Sequence, residues 1–202
     1  APSGAPLVHE GQVFLPTTGG KLFQLDLDSG KIHARLTFPQ KLASTPVLSD
    51  SKNHLYVAGH QAVLYVLTRR PLACETVLDV GHAPGSLQAP LVAMGRYILI
   101  SENDRLNSTR LRILDTQPKE ERPTPVGEAR IDGQTREAAV VRGKQLFVPA
   151  GDERIAAFTV SEGDPQKVLN AVAAFQSPKP QGGRMFLATG PDDQFWMASS
   201  SL

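Results

Sequence analysis

Residues 22–31, with the sequence LFQLDLDSGK, decide the fold of this chain. Apolar side chains alternate at Phe23, Leu25 and Leu27, which is the period of a half-buried β-strand. The Asp-Ser-Gly sequence that ends at Gly30 supplies turn chemistry, because glycine takes a positive φ at no steric cost. The stretch therefore predicts a strand, a tight turn and the start of a second strand.

The strand in this stretch recurs along the chain. Residues 64–68, 111–115 and 155–159 align with residues 22–26 as weaker copies. Five segments of the Ala-Pro-Leu-Val type, or looser versions of it, open successive units at positions 5, 45, 89, 138 and 183. A period of roughly 40–50 residues is that of a four-stranded propeller blade. The sequence therefore predicts an all-β fold, a β-propeller made of four-stranded antiparallel blades.

The repeat divides the chain into four complete blades and part of a fifth. The expected blades are residues 5–44, 45–88, 89–137 and 138–182, followed by a partial blade at 183–202. Each complete unit holds four short segments rich in β-branched and aromatic residues, bounded by Gly, Pro, Asn or Asp. Residues 168–175 also fit a short helix, but the repeat register favours a strand. We expect one propeller segment without a domain boundary, as a fragment of a larger ring.

The register makes a specific structural prediction. The third-strand residues Leu25, Leu67, Leu114 and Phe158 should be equivalent and buried between sheets. Two loops exceed the repeat pattern, at residues 102–109 and 117–125. The second of these is proline-rich and charged, and we interpret it as a stiff surface connection.

An incomplete fifth blade predicts apolar surface at both ends of the chain. Each blade of a repeat protein buries one face on each neighbour, so end blades expose a face and a strand edge. We expect Phe14, Phe23 and Leu25 in the first unit, and Phe186 and Trp196 in the last, to pack on further polypeptide. That polypeptide is either the remaining blades of the same propeller or a protein partner. For Trp196, packing in a core is the competing interpretation, and a ligand platform is another.

Composition excludes several classes of function. The chain has 202 residues and a net charge of +1, with basic and acidic residues interspersed. This charge pattern does not indicate a basic surface for binding nucleic acid. Cys74 is the only cysteine, which excludes an intrachain disulfide and a cysteine-rich metal site. No apolar run is long enough to span a membrane, and the first four residues do not resemble a signal peptide, although one could have been removed upstream.

Candidate metal sites in the sequence have simpler explanations. The pattern Asp26-x-Asp28-x-Gly30 resembles the front of a calcium loop, but Thr37 occupies the position of the usual bidentate carboxylate. We expect the two aspartates to accept hydrogen bonds within the turn. The five histidines, at positions 9, 33, 54, 60 and 82, lack converging zinc-ligand spacing, and we expect them at the surface.

The sequence evidence for catalytic groups is equally weak. No nucleophile elbow surrounds Ser86 or Ser101, and residues 182–184 lack the strand-loop-helix context of a phosphate loop. The acidic pairs 152–153 and 192–193 lie in predicted turns, where adjacent carboxylates point apart. The sequence predicts no catalytic, cofactor-binding or metal-binding residue.

The repeats resemble the pyrroloquinoline-quinone-like family of β-propellers. The resemblance rests on residues 25–31, which are close to the family turn Leu-Asp-x-x-Thr-Gly-Lys, on the Ala-Pro-Leu-Val openings and on residues 19–23. The family contains quinone-dependent dehydrogenases, outer-membrane assembly lipoproteins and bacterial surface propellers. Ala34 stands where the family has its docking tryptophan, Cys74 has no adjacent cysteine, and no haem-attachment motif is present. Quinone binding therefore does not carry over.

The resemblance implies a binding platform in an extracytoplasmic bacterial compartment, periplasmic or at the cell surface. The function expected is a non-catalytic scaffold that binds protein or another macromolecule, without a cofactor. The alternative is part of a quinoprotein-type oxidoreductase, or of another enzyme, whose active site lies in missing blades or a partner chain. A sensor of small ligands or glycans is a third possibility.

Overall fold

The structure is a computed structural model. It describes residues 1–104, 107–117, 122–151, 153–162, 167–178, 180, 183–191 and 194–199. Regular secondary structure in these ranges consists of β-strands, without a helix. In the same ranges there is accordingly no helix with the length and apolar character needed to cross a membrane.

The strands form four four-stranded sheets and one two-stranded sheet within the described ranges. The first sheet has the order β1 (Leu7–His9), β2 (Gln12–Thr17), β3 (Lys21–Asp26), β4 (Ile32–Thr37). The second has β5 (Val47–Leu48), β6 (His54–Ala58), β7 (Val63–Arg69), β8 (Leu72–Asp79). The third has β9 (Val92–Met94), β10 (Tyr97–Asn103), β11 (Ser108–Asp115), β12 (Thr124–Asp132). The fourth has β13 (Val140–Arg142), β14 (Gln145–Ala150), β15 (Arg154–Val160), β16 (Leu169–Gln176), and the fifth has β17 (Met185–Thr189) and β18 (Phe195–Ser199).

The four complete sheets share one register irregularity. The pairing of the third strand with the fourth shifts by one residue at a β-bulge in each sheet. The bulges lie between Gln24 and Leu25, Val66 and Leu67, Ile113 and Leu114, and Ala157 and Phe158. A bulge changes the twist of a sheet and is a designed feature rather than a defect. Its recurrence makes the predicted third-strand positions equivalent.

The burial of these equivalent residues differs in one case. Leu67, Leu114 and Phe158 are buried as predicted, whereas Leu25 is only half-buried. The residue after the bulge in the second sheet, Leu67, joins the core that includes side chains of the first sheet. The corresponding face of the first sheet, which carries Leu25, remains partly open to solvent.

The turn that decides the fold forms as the sequence predicts. The amide of Gly30 donates to the carbonyl of Asp26 (3.0 Å), and Gly30 has a φ of 68°. The Asp26 carboxylate accepts hydrogen bonds from the amide (2.8 Å) and the hydroxyl (2.6 Å) of Ser29. These hydrogen bonds hold the pKa of Asp26 below its ordinary value. Asp26 is therefore a turn clamp, as expected, whereas Asp28 lies exposed in the same turn.

The described chain divides into two compact units, residues 1–98 and 99–202. Sequence analysis finds no such boundary, and the division falls inside strand β10 rather than at a linker. In unit 1, the first two sheets pack on a shared apolar core in which the rings of Phe38 and Tyr65 lie 4.5 Å apart. Its buried apolar side chains include Phe14, Leu22, Phe38, Leu42, Leu48, Leu55, Val57, Tyr65 and Leu67.

In unit 2, the fifth sheet packs on the fourth through aromatic side chains. The rings of Phe147 and Phe195 lie 4.2 Å apart, and Met185, the first residue of β17, is buried. Further buried apolar side chains of this unit are Leu111, Ile113, Leu146, Val148 and Phe158. Both units therefore build their cores from side chains that alternate along neighbouring strands.

One predicted loop is longer than the loop in the structure. Residues 102–109 are not all loop, since β10 continues to Asn103 and β11 begins at Ser108. The core of the predicted proline-rich loop, 118–121, lies outside the described residues. The ambiguous segment 168–175 is a strand, β16.

Candidate interaction surfaces

One face of the first sheet is apolar and open. The register places Val13 opposite Leu25 and Leu15 opposite Phe23, so these four side chains share a face. All four are half-buried. Pairing extends the same face to Val8 and Ile32, which are 51% and 55% exposed. The six residues Val8, Val13, Leu15, Phe23, Leu25 and Ile32 are called the first-sheet face below.

Phe14, which the sequence places with this group, lies on the opposite face. It pairs with Gln24 in the register, and its side chain is fully buried in the core of unit 1. Because neighbouring residues of a strand point to opposite sides, Phe14 and Val13 cannot both face outward. Phe14 therefore stabilises the contact between the first two sheets and offers no surface to a further polypeptide in this structure.

The fifth sheet also exposes an apolar face. Trp196 pairs with Ala188, and Phe186 pairs with Ala198, so the two aromatic side chains share one face. Trp196 is 63% exposed and Phe186 is 42% exposed. We call the face formed by Phe186, Ala188, Trp196 and Ala198 the fifth-sheet face. Core packing, the competing interpretation for Trp196, is wrong for this structure, and its neighbour Phe195 makes the core contact instead.

Sequence reasoning missed four members of the first-sheet face: Val8, Val13, Leu15 and Ile32. The available signal was the period of two along each strand, combined with the pairing of adjacent strands. The part that sequence could not supply is which face a neighbouring sheet covers. That information separates Phe14 from Phe23 although both are aromatic residues in the same blade.

Electrostatic contacts in unit 1 fix the turns of the first two sheets. An Arg69 guanidinium nitrogen donates to the Glu10 carboxylate at 2.7 Å, and Arg70 lies 3.2 Å from the same oxygen. The hydrogen bond from Arg69 is the main cause of a pKa of Glu10 below its ordinary value. Arg69 is buried, so the carboxylate neutralises a charge that is removed from water. This cluster is structural.

The histidines do not converge on a site. His54 pairs with Glu75 (2.9 Å), and His33 lies 3.8 Å from Asp26. His82 is buried rather than exposed as expected, and its Nε2 lies 3.0 Å from the Gly59 carbonyl oxygen. Among the described residues, no group of three or more His, Cys, Asp or Glu side chains is placed to hold a metal ion. The acidic residues 152, 192 and 193 lie outside the described residues.

Unit 2 contains a buried polar network that no sequence motif predicts. The Asn103 amide donates to the Thr135 carbonyl (2.7 Å), and the Thr135 amide donates back to Asn103 Oδ1 (2.8 Å). The Thr109 hydroxyl donates to the Gly133 carbonyl at 2.8 Å. The network joins the turn region of the third sheet to the connection that leads to the fourth. Satisfied buried networks of this kind fix a unique geometry.

The four complete sheets share a common bulge, and two of the sheets leave an apolar face open. This arrangement is that of a β-propeller built from pyrroloquinoline-quinone-like repeats. The chain belongs to the family described as outer membrane protein assembly factor BamB, whose model matches residues 1–201. This match confirms the resemblance predicted from the repeats. Among curated proteins, no sequence matches the chain.

Solved structures share the fold at low sequence identity. BamB from Moraxella catarrhalis is 14% identical with a TM-score of 0.66, and the match covers 97% of this chain and 54% of that one. The WD40 domain of Toxoplasma gondii coronin is 15% identical (TM-score 0.67; 91% and 47% covered). The β-propeller domain of Myceliophteria thermophila Cps50 (Swd1) is 16% identical (TM-score 0.68; 95% and 64% covered). The chain thus spans about half to two thirds of the length of these structures.

Proposed function

We propose that this protein is a non-catalytic propeller scaffold that binds other polypeptides in an extracytoplasmic compartment. The observation that carries the proposal is the pair of apolar faces on the first and fifth sheets. Val8, Ile32 and Trp196 each expose half or more of their side chains there. Contiguous exposed apolar surface of this kind marks interaction sites, whereas isolated exposed apolar residues are normal.

The family supports the class of partner and the compartment. The matched family is described as an outer membrane protein assembly factor, which is a protein-binding role outside the cytoplasm. A polypeptide is the partner that fits the first-sheet face, because that face is apolar, broad and sheet-like. The same partner class accounts for Phe23 and Leu25, which lie half-buried at its centre.

Site-specific photocrosslinking tests the proposal. A photoreactive amino acid is placed at position 32 or 196, and at position 27 as the control, in cells that make the protein. Leu27 is a turn residue that is also about half exposed, but it belongs to neither face. We expect a defined polypeptide adduct from positions 32 and 196 and none from position 27. The adduct from position 32 should disappear when Leu25→Lys introduces a charge at the residue paired with it.

Equal crosslinking at all three positions, or none at positions 32 and 196, would contradict the proposal. A second measurement separates the scaffold from an oxidoreductase. The purified protein is mixed with pyrroloquinoline quinone and Ca²⁺, and the absorption spectrum is recorded after removal of free quinone. A stoichiometric quinone band would overturn the non-catalytic function.

A further inference from the structure

Strand β16, the outermost strand of the fourth sheet, lacks the charges that protect the equivalent strands. Its eight residues, Leu169–Gln176, include no charged side chain. The corresponding strand β4 carries Arg35, β8 carries Glu75 and Asp79, and β12 is also charged. Edge strands present unpaired main-chain groups, and charged side chains are a common protection against pairing with another chain.

The edge of β16 is also exposed and apolar. Val172 is 60% exposed and Phe175 is 45% exposed. An uncharged edge of eight residues is long enough to template a further strand. The absence of protection on this strand alone among the four equivalent ones indicates that pairing with another segment is accommodated here.

A groove of about 760 Å³ lies beside this edge, between β12 and strands β15 and β16 of unit 2. Phe158 forms part of its wall together with Ile131. Half of the remaining lining side chains are alanine methyl groups. They include Ala129, Ala150, Ala156, Ala171 and Ala174.

The internal repeat shows what fills the equivalent space elsewhere. The bulge aligns Tyr65 and its partner Val77 in the second sheet with Ala156 and its partner Ala174 in the fourth. In unit 1, the Tyr65 ring packs against Phe38 with a centroid distance of 4.5 Å. The junction in unit 1 is therefore filled by large side chains at positions where unit 2 has only methyl groups.

The wall of the groove formed by β12 also carries smaller side chains than its equivalent in unit 1. The bulge aligns Leu36 of β4 with Ala129 of β12, since each pairs with the third-strand leucine two residues before the shift. An equivalent hydrogen bond confirms the alignment beyond the strands. The His60 amide donates to the Lys41 carbonyl (2.8 Å), as the Gly151 amide donates to the Gln134 carbonyl (2.9 Å). On both walls of the groove, the side chains are therefore smaller than their repeat equivalents in unit 1.

Charges lie along the rim of this groove. The lining side chains include two guanidinium groups, Arg130 and Arg154, and one carboxylate, Asp132. Arg154 lies 3.4 Å from Asp132, and Arg130 lies 3.7 Å from the carboxylate of Asp104. Each guanidinium group is therefore paired with a carboxylate of this chain, and the rim carries no excess charge.

We propose that the edge of β16 and this groove, together the β16 groove, bind an extended segment of a partner protein by strand addition. The segment pairs with the edge of β16 and packs an aromatic or branched aliphatic side chain against the face that carries Ala156 and Ala174. Main-chain pairing supplies affinity and alternate side chains supply specificity in this mode of recognition. The inference rests on the proposed scaffold function but assigns it a second surface.

A labelled peptide tests the β16 groove directly. The probe is the fluorescein-labelled nonapeptide ETVTFTVTE, which alternates apolar and polar residues and has acidic ends, and the readout is anisotropy with the whole chain. Ala174→Lys fills the groove, and Val77→Lys places the same charge at the equivalent residue of the second sheet, which is 50% exposed and does not line the groove. We expect Ala174→Lys to weaken binding by about tenfold or more, and Val77→Lys by less than about twofold. Both variants are exposed-site changes, and their thermal midpoints are compared first.

A second variant and a second readout guard against indirect effects. Ala156→Tyr restores the side chain that the repeat carries at Tyr65, so it should retain the fold and abolish peptide binding. Hydrogen exchange should show that the peptide protects amides within residues 171–175. Equal weakening by Val77→Lys and Ala174→Lys, or protection confined to another segment, would overturn the proposal.

Three further outcomes bear on this proposal and on the proposed function. Protection of β16 in the absence of peptide, rising with protein concentration, would make a second copy the occupant and would overturn the partner segment. If crosslinks from positions 32 and 196 form while the peptide fails to bind the wild-type protein, the scaffold function stands and the β16 groove is refuted. Peptide binding with the expected variant pattern, but without those crosslinks, supports the β16 groove and counts against the two apolar faces.

Discussion

Leu67 and Leu27 show how much the position of one leucine matters in this chain. Leu67 is fully buried in the core of unit 1, whereas Leu27 lies half exposed in a turn. Removing a buried leucine side chain costs its transfer free energy and leaves a cavity. We predict that Leu67→Ala lowers the free energy of unfolding by about 2–5 kcal/mol. Leu27→Ala should change it by less than about 0.5 kcal/mol. Urea denaturation of both variants checks this, and similar losses would refute the assigned core.

Glu10 gives a prediction for pH dependence. Its pKa lies below the ordinary value, mainly because Arg69 donates a hydrogen bond to the ionised form. The folded state therefore binds this proton less readily than the unfolded chain does. The resulting contribution to stability is present above the unfolded pKa and is lost as pH falls through the folded pKa.

We predict that Glu10→Gln lowers stability at neutral pH and flattens the stability profile below about pH 5. The variant leaves the buried Arg69 guanidinium without its carboxylate partner. Urea denaturation from about pH 3 to pH 7 measures the two slopes. Parallel profiles for the wild-type protein and the variant would show that the Glu10–Arg69 contact is not linked to folding.

At the scale of elements, the sequence predicts strands and turns well because both depend on local chemistry. The turn at residues 26–30 follows from Asp26, Ser29 and Gly30 alone. The assignment of β16 required the repeat, since its local pattern also fits a helix. Burial of whole faces was not predictable in this way. The exposure of Trp196 and the burial of Phe14 depend on which neighbouring sheet covers each face, and no local pattern encodes that.

The fifth sheet provides the prediction at this scale. Phe195 packs against Phe147, whereas Trp196 faces solvent. We expect Phe195→Ser to detach the sheet and to increase hydrogen exchange of the β17 and β18 amides by about tenfold or more, as local opening becomes easier. Trp196→Ser should leave that exchange nearly unchanged, while it abolishes crosslinking from a photoreactive residue placed at position 186 on the same face. Faster exchange in Trp196→Ser would show that the indole supports the sheet rather than an interface.

At the scale of the whole molecule, the repeat predicts the class of fold without any help from composition. Weak copies of residues 22–26 at a spacing of 40–50 residues suffice, because each copy brings a strand, a partner and a bulge. The function is much less accessible to sequence, since the first-sheet face and the β16 groove consist of ordinary apolar and small residues. Their meaning comes from the absence of a covering side chain, which only the structure shows.

The last prediction concerns association of the purified chain. Two apolar faces and an unprotected strand edge lie exposed within one polypeptide, and monomeric proteins rarely tolerate such surface. We expect sedimentation velocity to show association that increases with protein concentration, and native mass spectrometry to show either multiples of the chain mass or a second polypeptide. Ile32→Lys and Trp196→Lys should each reduce association, because burying a lysine against an apolar face costs more than burying the original side chain. Leu27→Lys, which adds the same charge outside both faces, should not. A concentration-independent monomer without a second polypeptide, unchanged by the first two substitutions, would show that neither face is an interface.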